Sequence, residues 1–232
     1  MTPVHGVAAI VVAGGTGERY GRPKQFDMLA GRRILDWSIE AAATVAGEVV
    51  VVVPAESVAD EAAGELVSHL GASVVAGGAT RAGSVRAGLE AVSASASIVV
   101  VHDAARPLAT QALFESVVAA VAGSADGAVP GIAVNDTLKS VADGAIVGTV
   151  DREGMVAVQT PQAFRAGVLR SAHRGAPEAT DDAGLVEASG GRVVVVPGEG
   201  WNLKLTGAND LVLLEALIAA RSSSQGTAEA SV

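Results

Sequence analysis

The 232-residue chain contains no cysteine. Disulfide staples, thiolate metal sites, iron–sulfur centres and a cysteine nucleophile are therefore excluded. Aromatic residues are scarce, with two Trp, one Tyr and three Phe, so the core must come from smaller aliphatic side chains. Positive charge is in deficit: 16 Lys and Arg face 25 Asp and Glu, a formal net charge of −9. This balance speaks against bulk binding to nucleic acid or to an anionic membrane. An anionic ligand must instead meet a local cluster of cations. Long apolar runs are missing despite a mean hydropathy of +0.42. The longest, Val7–Ala13 and Val49–Val53, fall far short of the roughly 20 residues that span a bilayer. No basic segment leads into an apolar stretch and cleavage site at the N-terminus, and the expected location is the cytoplasm.

What the chain does have is Val, Ala and 28 Gly in a repeating rhythm. Gly6–Ala13, Val49–Val53, Ser73–Ala76, Ser97–Val101 and Gly127–Val134 read as buried strands. Helical patterns at Ile34–Val45, Ser57–Leu70, Thr80–Val92 and Thr110–Ala122 lie between them. Such alternation predicts an α/β fold with a mainly parallel sheet. Continuous rather than alternating apolar strands predict helices on both faces. The rhythm breaks after Val134, where Thr137–Val141 and Ala145–Val150 flank Ala142-Asp143-Gly144, a hairpin signal. Helices return at Arg165–Arg174 and Asp181–Ser189. Strand Arg192–Val196, an extended piece at Trp201–Leu205 and a helix over Ala208–Arg221 follow. The expectation is one domain over residues 1–221, with a β-arm inserted at about 134–156. Residues 222–232 have the Ser/Ala/Gly/Gln composition of a disordered tail.

The first strand ends in Ala13-Gly14-Gly15-Thr16-Gly17-Glu18-Arg19-Tyr20-Gly21-Arg22-Pro23-Lys24. Ligands of open parallel sheets sit at the carboxyl ends of strands, and glycines let backbone N–H groups approach phosphates. The loop lacks the Gly-Lys-Ser/Thr of a Walker A motif, and a dinucleotide fingerprint fails at Tyr20. Three cations in an acidic chain, Arg19, Arg22 and Lys24, suit a triphosphate; a solvated turn is the plainer reading. His102-Asp103-Ala104-Ala105-Arg106-Pro107 follows the fourth main strand. There Asp103 could hold Mg²⁺ and Arg106 could fork onto phosphate, or Asp103 could simply cap a turn. Gly77–Ser84 could wrap a base with Arg81 and Ser84 as donors, or could start a helix with Thr80 as its cap. Thr180-Asp181-Asp182 reads most simply as a helix start, and Lys204 as a lone cation in an apolar stretch. No Ser/His/Asp constellation is present. The chemistry implied is charge stabilisation around phosphates.

Taken in order, AAIVVAGGTGERYGRPKQF, GGATRAGSV, VHDAARPL, DTLKSV, VDREG, QTPQAF, ATDDAG and GWNLKLT resemble the 2-C-methyl-D-erythritol 4-phosphate cytidylyltransferases over about residues 5–220. The resemblance implies a Rossmann-like nucleotidyltransferase fold. It also implies a reaction in which CTP and methylerythritol phosphate give the CDP-alcohol and pyrophosphate, with Mg²⁺. By motif position, Arg19, Lys24, Arg152 and Lys204 would be catalytic. Ala13, Gly14, Gly15, Gly17, Gly78, Arg81, Ser84, Asp103 and Ala104 would hold the nucleotide, with Asp103 also the metal ligand. Arg106, Thr137, Arg152, Thr160 and Lys204 would meet the acceptor. The hairpin would reach into a second subunit of a homodimer, so that Thr137 and Arg152 complete the partner's site.

Three positions depart from the family pattern. Gly15 stands where an aromatic residue is common, Glu18 where a basic one is, and Ala79 where an acidic one is. Base selectivity would then lean on backbone contacts. The rival readings are a cytidylyltransferase for another polyol phosphate, such as ribitol 5-phosphate, and a non-catalytic nucleotide-binding subunit. Retention of Arg19, Lys24, Asp103 and Lys204 together argues against the latter.

Overall fold

The computed structural model describes residues 4–15, 23–62 and 64–229, with residues 4, 5 and 222–229 described by their backbone alone. The first strand, β1 (Val4–Val12), is central to the sheet. It pairs in parallel with β4 (Ala46–Val53) on one side and β6 (Ile98–Asp103) on the other. Beyond β4 lies β5 (Ser73–Ala76), also parallel. On the other flank β11 (Gln162–Arg165) runs antiparallel between β6 and β7 (Gly127–Ala133). The sheet closes with β10 (Val156–Val158), antiparallel to β7, and β12 (Val193–Pro197), parallel to it. Two small ribbons stand apart: β2 (Met28–Leu29) with β3 (Arg32–Arg33), and β8 (Leu138–Ala142) with β9 (Ala145–Val150).

The alternation of side chains along β1 divides the core in two. Val7, Ala9 and Val11 face one helical layer, made by α1 (Ile34–Ala43), α3 (Glu65–Leu70) and α5 (Gln111–Gly123). Ala8 and Ile10 face the other, made by α4 (Arg81–Ala91), α6 (Ala166–Ala172) and α7 (Asp182–Ala188). Both faces are covered, as continuous apolar strands require. A third, smaller cluster joins Leu29, Ile34 and Leu108 to Leu205 and to Leu214 of α8 (Ala208–Glu229). Among the described residues no helix is long and apolar enough to cross a membrane.

Several boundaries differ from the sequence reading. The helix expected over Ser57–Leu70 is a 3₁₀ turn at Ala55–Ser57 followed by α2 (Val58–Ala62) and α3. Ser57, the first residue of the expected helix, therefore ends the 3₁₀ turn. Gly64, whose N–H bonds the Glu61 carbonyl, precedes α3; glycine inside a helix costs about 1 kcal/mol. Strands β10 and β11 have no counterpart in the sequence reading, which resumes regular structure only with a helix from Arg165. The Trp201–Leu205 piece is a turn and irregular chain, not a strand. Helix α8 runs to Glu229, beyond the Arg221 end read from the sequence, so residues 222–229 are helical where composition suggests disorder. The hairpin has the expected place and turn: Asp143 and Gly144 both have positive φ, 48° and 79°.

Candidate active site

The strand register places Val12 of β1 beside both Val52 of β4 and Asp103 of β6. The glycine loop and the His102–Pro107 loop therefore leave the sheet side by side, where the strand order changes direction. A cleft of about 590 Å³ opens there. Val12 to Gly15, Lys24, Gln25, Gly78 to Arg81, Ser84, Asp103 to Ala105 and Lys204 line it.

Each wall has a local reason. Gln25 is buried, and its Nε2 donates to the Ala13 carbonyl at 2.7 Å and to that of Gly15 at 3.2 Å. One side chain thus holds the start of the glycine loop, and it places Lys24, its neighbour in a 3₁₀ turn, at the cleft. Thr80 caps α4, its hydroxyl accepting the Gly83 N–H at 3.0 Å. Gly78 packs directly on that first turn: a Cβ there would lie 2.8 Å from the Gly83 carbonyl carbon. Only glycine permits so close an approach of two backbones.

Asp103 is the electrostatic centre. Its Oδ1 accepts from Arg81 Nε at 3.2 Å and its Oδ2 from Lys204 Nζ at 2.6 Å. Burial alone would raise its pKa, but Arg81 and Lys204 outweigh burial and hold the carboxyl well below the usual range. Arg81 in turn reaches Asp182 Oδ2 at 2.8 Å. Burial opposes its charge, while Asp103 and Asp182 together raise its pKa. The chain of contacts ends at His173, whose Nε2 lies 3.0 Å from Asp182 Oδ1. His102 behaves differently: burial lowers its pKa to about 4, so it is neutral.

A smaller recess of about 120 Å³ adjoins the cleft and shares Arg81, Asp103 and Lys204 with it. Arg106, Gln159, Thr160 and Gln162 line its inner side. The Thr160 hydroxyl accepts the Asp103 N–H at 3.0 Å and meets His102 Nδ1 at 3.2 Å. Arg106 donates through Nη1 to the Asn202 carbonyl at 2.7 Å.

The structure thus brings together Ala13, Gly14, Gly15, Lys24, Gly78, Arg81, Ser84, Asp103, Ala104 and Lys204 around one cleft, with Arg106 and Thr160 beside it. Arg19 and Gly17 lie outside the described residues. Thr137, before β8, and Arg152, after β9, are exposed and line neither space. The side chains of Arg81, Ser84 and Thr160 are engaged within the protein, Ser84 donating to the Thr80 carbonyl at 3.0 Å. Asp181 is the helix cap that the sequence suggests, its Oδ1 accepting the Gly184 N–H at 3.0 Å. Sequence reasoning missed Gln25, His173 and the second role of Asp182. Gln25 and Asp182 stood inside quoted motifs, but only the tertiary contacts reveal what they hold.

Among the described residues no group of three His, Asp or Glu could hold a metal ion by itself. One carboxylate beside the cleft still suits Mg²⁺, which takes one or two protein carboxylates and fills its shell with phosphate oxygens and water. Asp103 would be that carboxylate, and its two oxygens accept from Arg81 and Lys204.

With glycine-loop backbone and lysines at the switch point of a mainly parallel sheet, and charge in place of a nucleophile, the molecule is an α/β nucleotidyltransferase. Residues 7–220 match the family model described as IspD: 2-C-methyl-D-erythritol 4-phosphate cytidylyltransferase, and the chain belongs to that family. A relative of that name from Rubrobacter xylanophilus is 45% identical over 93% of this chain and 96% of its own. A bifunctional enzyme IspD/IspF from Clavibacter michiganensis is also 45% identical, over 92% of this chain, which spans 54% of it. The crystal structure of 2-C-methyl-D-erythritol 4-phosphate cytidylyltransferase from Thermus thermophilus superposes with a TM-score of 0.76. It is 39% identical and covers 90% of this chain and 98% of its own.

Proposed function

We propose that the chain transfers the cytidylyl group of CTP to methylerythritol phosphate at the cleft around Asp103, acting as one nucleotidyltransferase domain over residues 1–221. The observation that carries this reading is the convergence of Gly14, Gly15, Lys24, Asp103 and Lys204 on one space. An acceptor phosphate oxygen attacks the α-phosphorus of CTP in line. The new P–O bond forms as the bond to the β-phosphate's bridging oxygen breaks, and pyrophosphate leaves. No group on the enzyme need become covalently attached. Lys24 and Arg19 offset charge on the triphosphate, and Lys204 holds the reacting phosphates. Gly17 belongs to the same phosphate-binding loop.

The backbone of Gly78 and Ala79 reads the base, because Arg81 and Ser84 are spent in holding that loop and Asp103. Ala104 lies beside the ribose. Asp103 holds Mg²⁺, which neutralises phosphate charge when bound. Arg106 and Thr160 flank the acceptor recess.

Thr137 and Arg152 complete the acceptor site of a second subunit. The support is the hairpin itself: Val141, Ile146 and Val147 are 60%, 66% and 65% exposed. Apolar side chains so placed on a two-stranded ribbon call for a partner surface. The active form is therefore a homodimer built through the arm, working in the cytoplasm without nucleic acid or membrane.

The test is pyrophosphate release with Mg²⁺ and CTP, comparing methylerythritol phosphate with ribitol 5-phosphate. Release with the first alone is expected. Release with the second alone would reassign the acceptor, and CTP binding without release would mark a regulatory subunit.

A further inference from the structure

Lys204 is carried on a segment with neither helix nor strand, residues 198–206. Free chain of that kind would leave the ammonium mobile, yet it sits 2.6 Å from Asp103. Together with Arg106 on the Asn202 carbonyl, a pair of buried side-chain amides fixes the segment. Gln159, 3% exposed, uses its whole amide on it. Its Nε2 donates to the Glu199 carbonyl at 2.8 Å and the Asn202 carbonyl at 3.4 Å. Its Oε1 accepts the Glu199 N–H at 3.1 Å and Asn202 Nδ2 at 3.3 Å. Asn202, 0% exposed, donates its second Nδ2 hydrogen to the Thr160 carbonyl at 2.9 Å. Three residues on, the Leu205 N–H bonds the Ala105 carbonyl at 2.8 Å and its side chain is fully buried. Lys204 lies between these two anchors.

We infer that Gln159 and Asn202 are positioning residues that hold Lys204 over the reacting phosphates. The inference rests on the reading of Lys204 given above. All four amide hydrogens of the pair are donated and Gln159 Oε1 accepts twice, while Asn202 Oδ1 alone is buried without a partner. A shift of either side chain would leave further desolvated polar groups unpaired, which favours one geometry. The same short segment serves the other side of the site: Thr160, next to Gln159, holds the Asp103 backbone through its hydroxyl. Asp103 and Lys204, far apart in the chain, are thus referenced to one structural point. A misplacement of about 1 Å at a reacting group can cost roughly 100-fold in rate.

A double-mutant cycle tests this. The variants are Asn202→Ala, Lys204→Ala and the pair together, with kcat and both KM values measured and folding checked by circular dichroism and thermal unfolding. Asn202→Ala should lower kcat about 10- to 100-fold with KM for CTP little changed. In the Lys204→Ala background it should change kcat by less than about twofold, since a residue acting through Lys204 has nothing left to position. Effects that multiply would overturn the inference, as would a lower melting temperature with unaltered kcat. If Asn202→Ala does not fold, Gln159→Met, which keeps the side-chain length, enters the same cycle with the same expectations. Unaltered kcat in Lys204→Ala alone would instead sink the reading of the lysine, and the clamp's purpose with it.

Discussion

Lys204 Nζ and Arg81 Nε take opposite oxygens of one buried carboxylate, Asp103, at 2.6 and 3.2 Å. A divalent ion bound there must share Asp103 with two cations. Asp103→Asn should therefore weaken CTP binding in Mg²⁺ much more than without it. Calorimetric titration of CTP in both conditions is the check, and an equal loss in each would place the metal elsewhere.

Lys24→Ala should lower kcat about 100- to 1,000-fold while the melting temperature stays near that of the wild type. The residue lies half-buried at the cleft on a single 3₁₀ turn. Steady-state kinetics with wild-type-like turnover would remove Lys24 from the mechanism.

Arg152→Ala should raise KM for the acceptor, leaving CTP affinity unchanged, because Arg152 lies on the arm and not at the CTP cleft. Mixing this variant with Lys24→Ala should restore part of the activity through mixed dimers. Demonstrated subunit exchange without restored activity would count against the shared site.

Gly78→Ala would put a Cβ 2.8 Å from the Gly83 backbone. The first turn of α4 must move, at a cost of about 1–3 kcal/mol. Thermal unfolding should report the loss, and CTP affinity should fall with it, because the same loop forms one wall of the cleft.

Asp210 caps the start of α8, its Oδ2 accepting the N–H groups of Thr206 and Gly207 at 2.6 and 2.8 Å and the Thr206 hydroxyl at 2.7 Å. The Thr206 hydroxyl and then the backbone N–H groups lower its pKa below the ordinary 3.8. A depressed carboxyl stabilises the fold above its unfolded value and loses that effect as pH falls through the folded one. Asp210→Ala should thus cost about 1 kcal/mol at neutral pH, and the difference from the wild type should shrink below pH 3.8. A difference in unfolding free energy independent of pH would show that the charge is not what caps the helix.

The parallel half of the sheet was legible because its strands are runs of Val, Ala or Ile, and several helix starts carry their own signal. Thr80, Thr110 and Asp181 all cap the helices they precede. The antiparallel half was not. Gln162–Arg165 becomes a strand only because β6 and β7 lie on either side of it, and nothing local in Gln-Ala-Phe-Arg demands extension. The same holds for the site. Lys24, Asp103 and Arg106 stand in motifs at strand ends, whereas Gln159 and Asn202 are ordinary polar residues until folding buries them.

The sequence by itself determined the layer architecture, the hairpin and the family, since periodicity, caps and turn residues act over a few neighbours and the motifs recur in order. Only the tertiary structure decided that Asp103 is ion-paired on both oxygens, that Arg81 is committed to two carboxylates, and that Gln159 and Asn202 fix the lysine segment. Those are contacts between residues distant in the chain. Their strength comes from desolvation, which exists only once the sheet and its helices have closed around them.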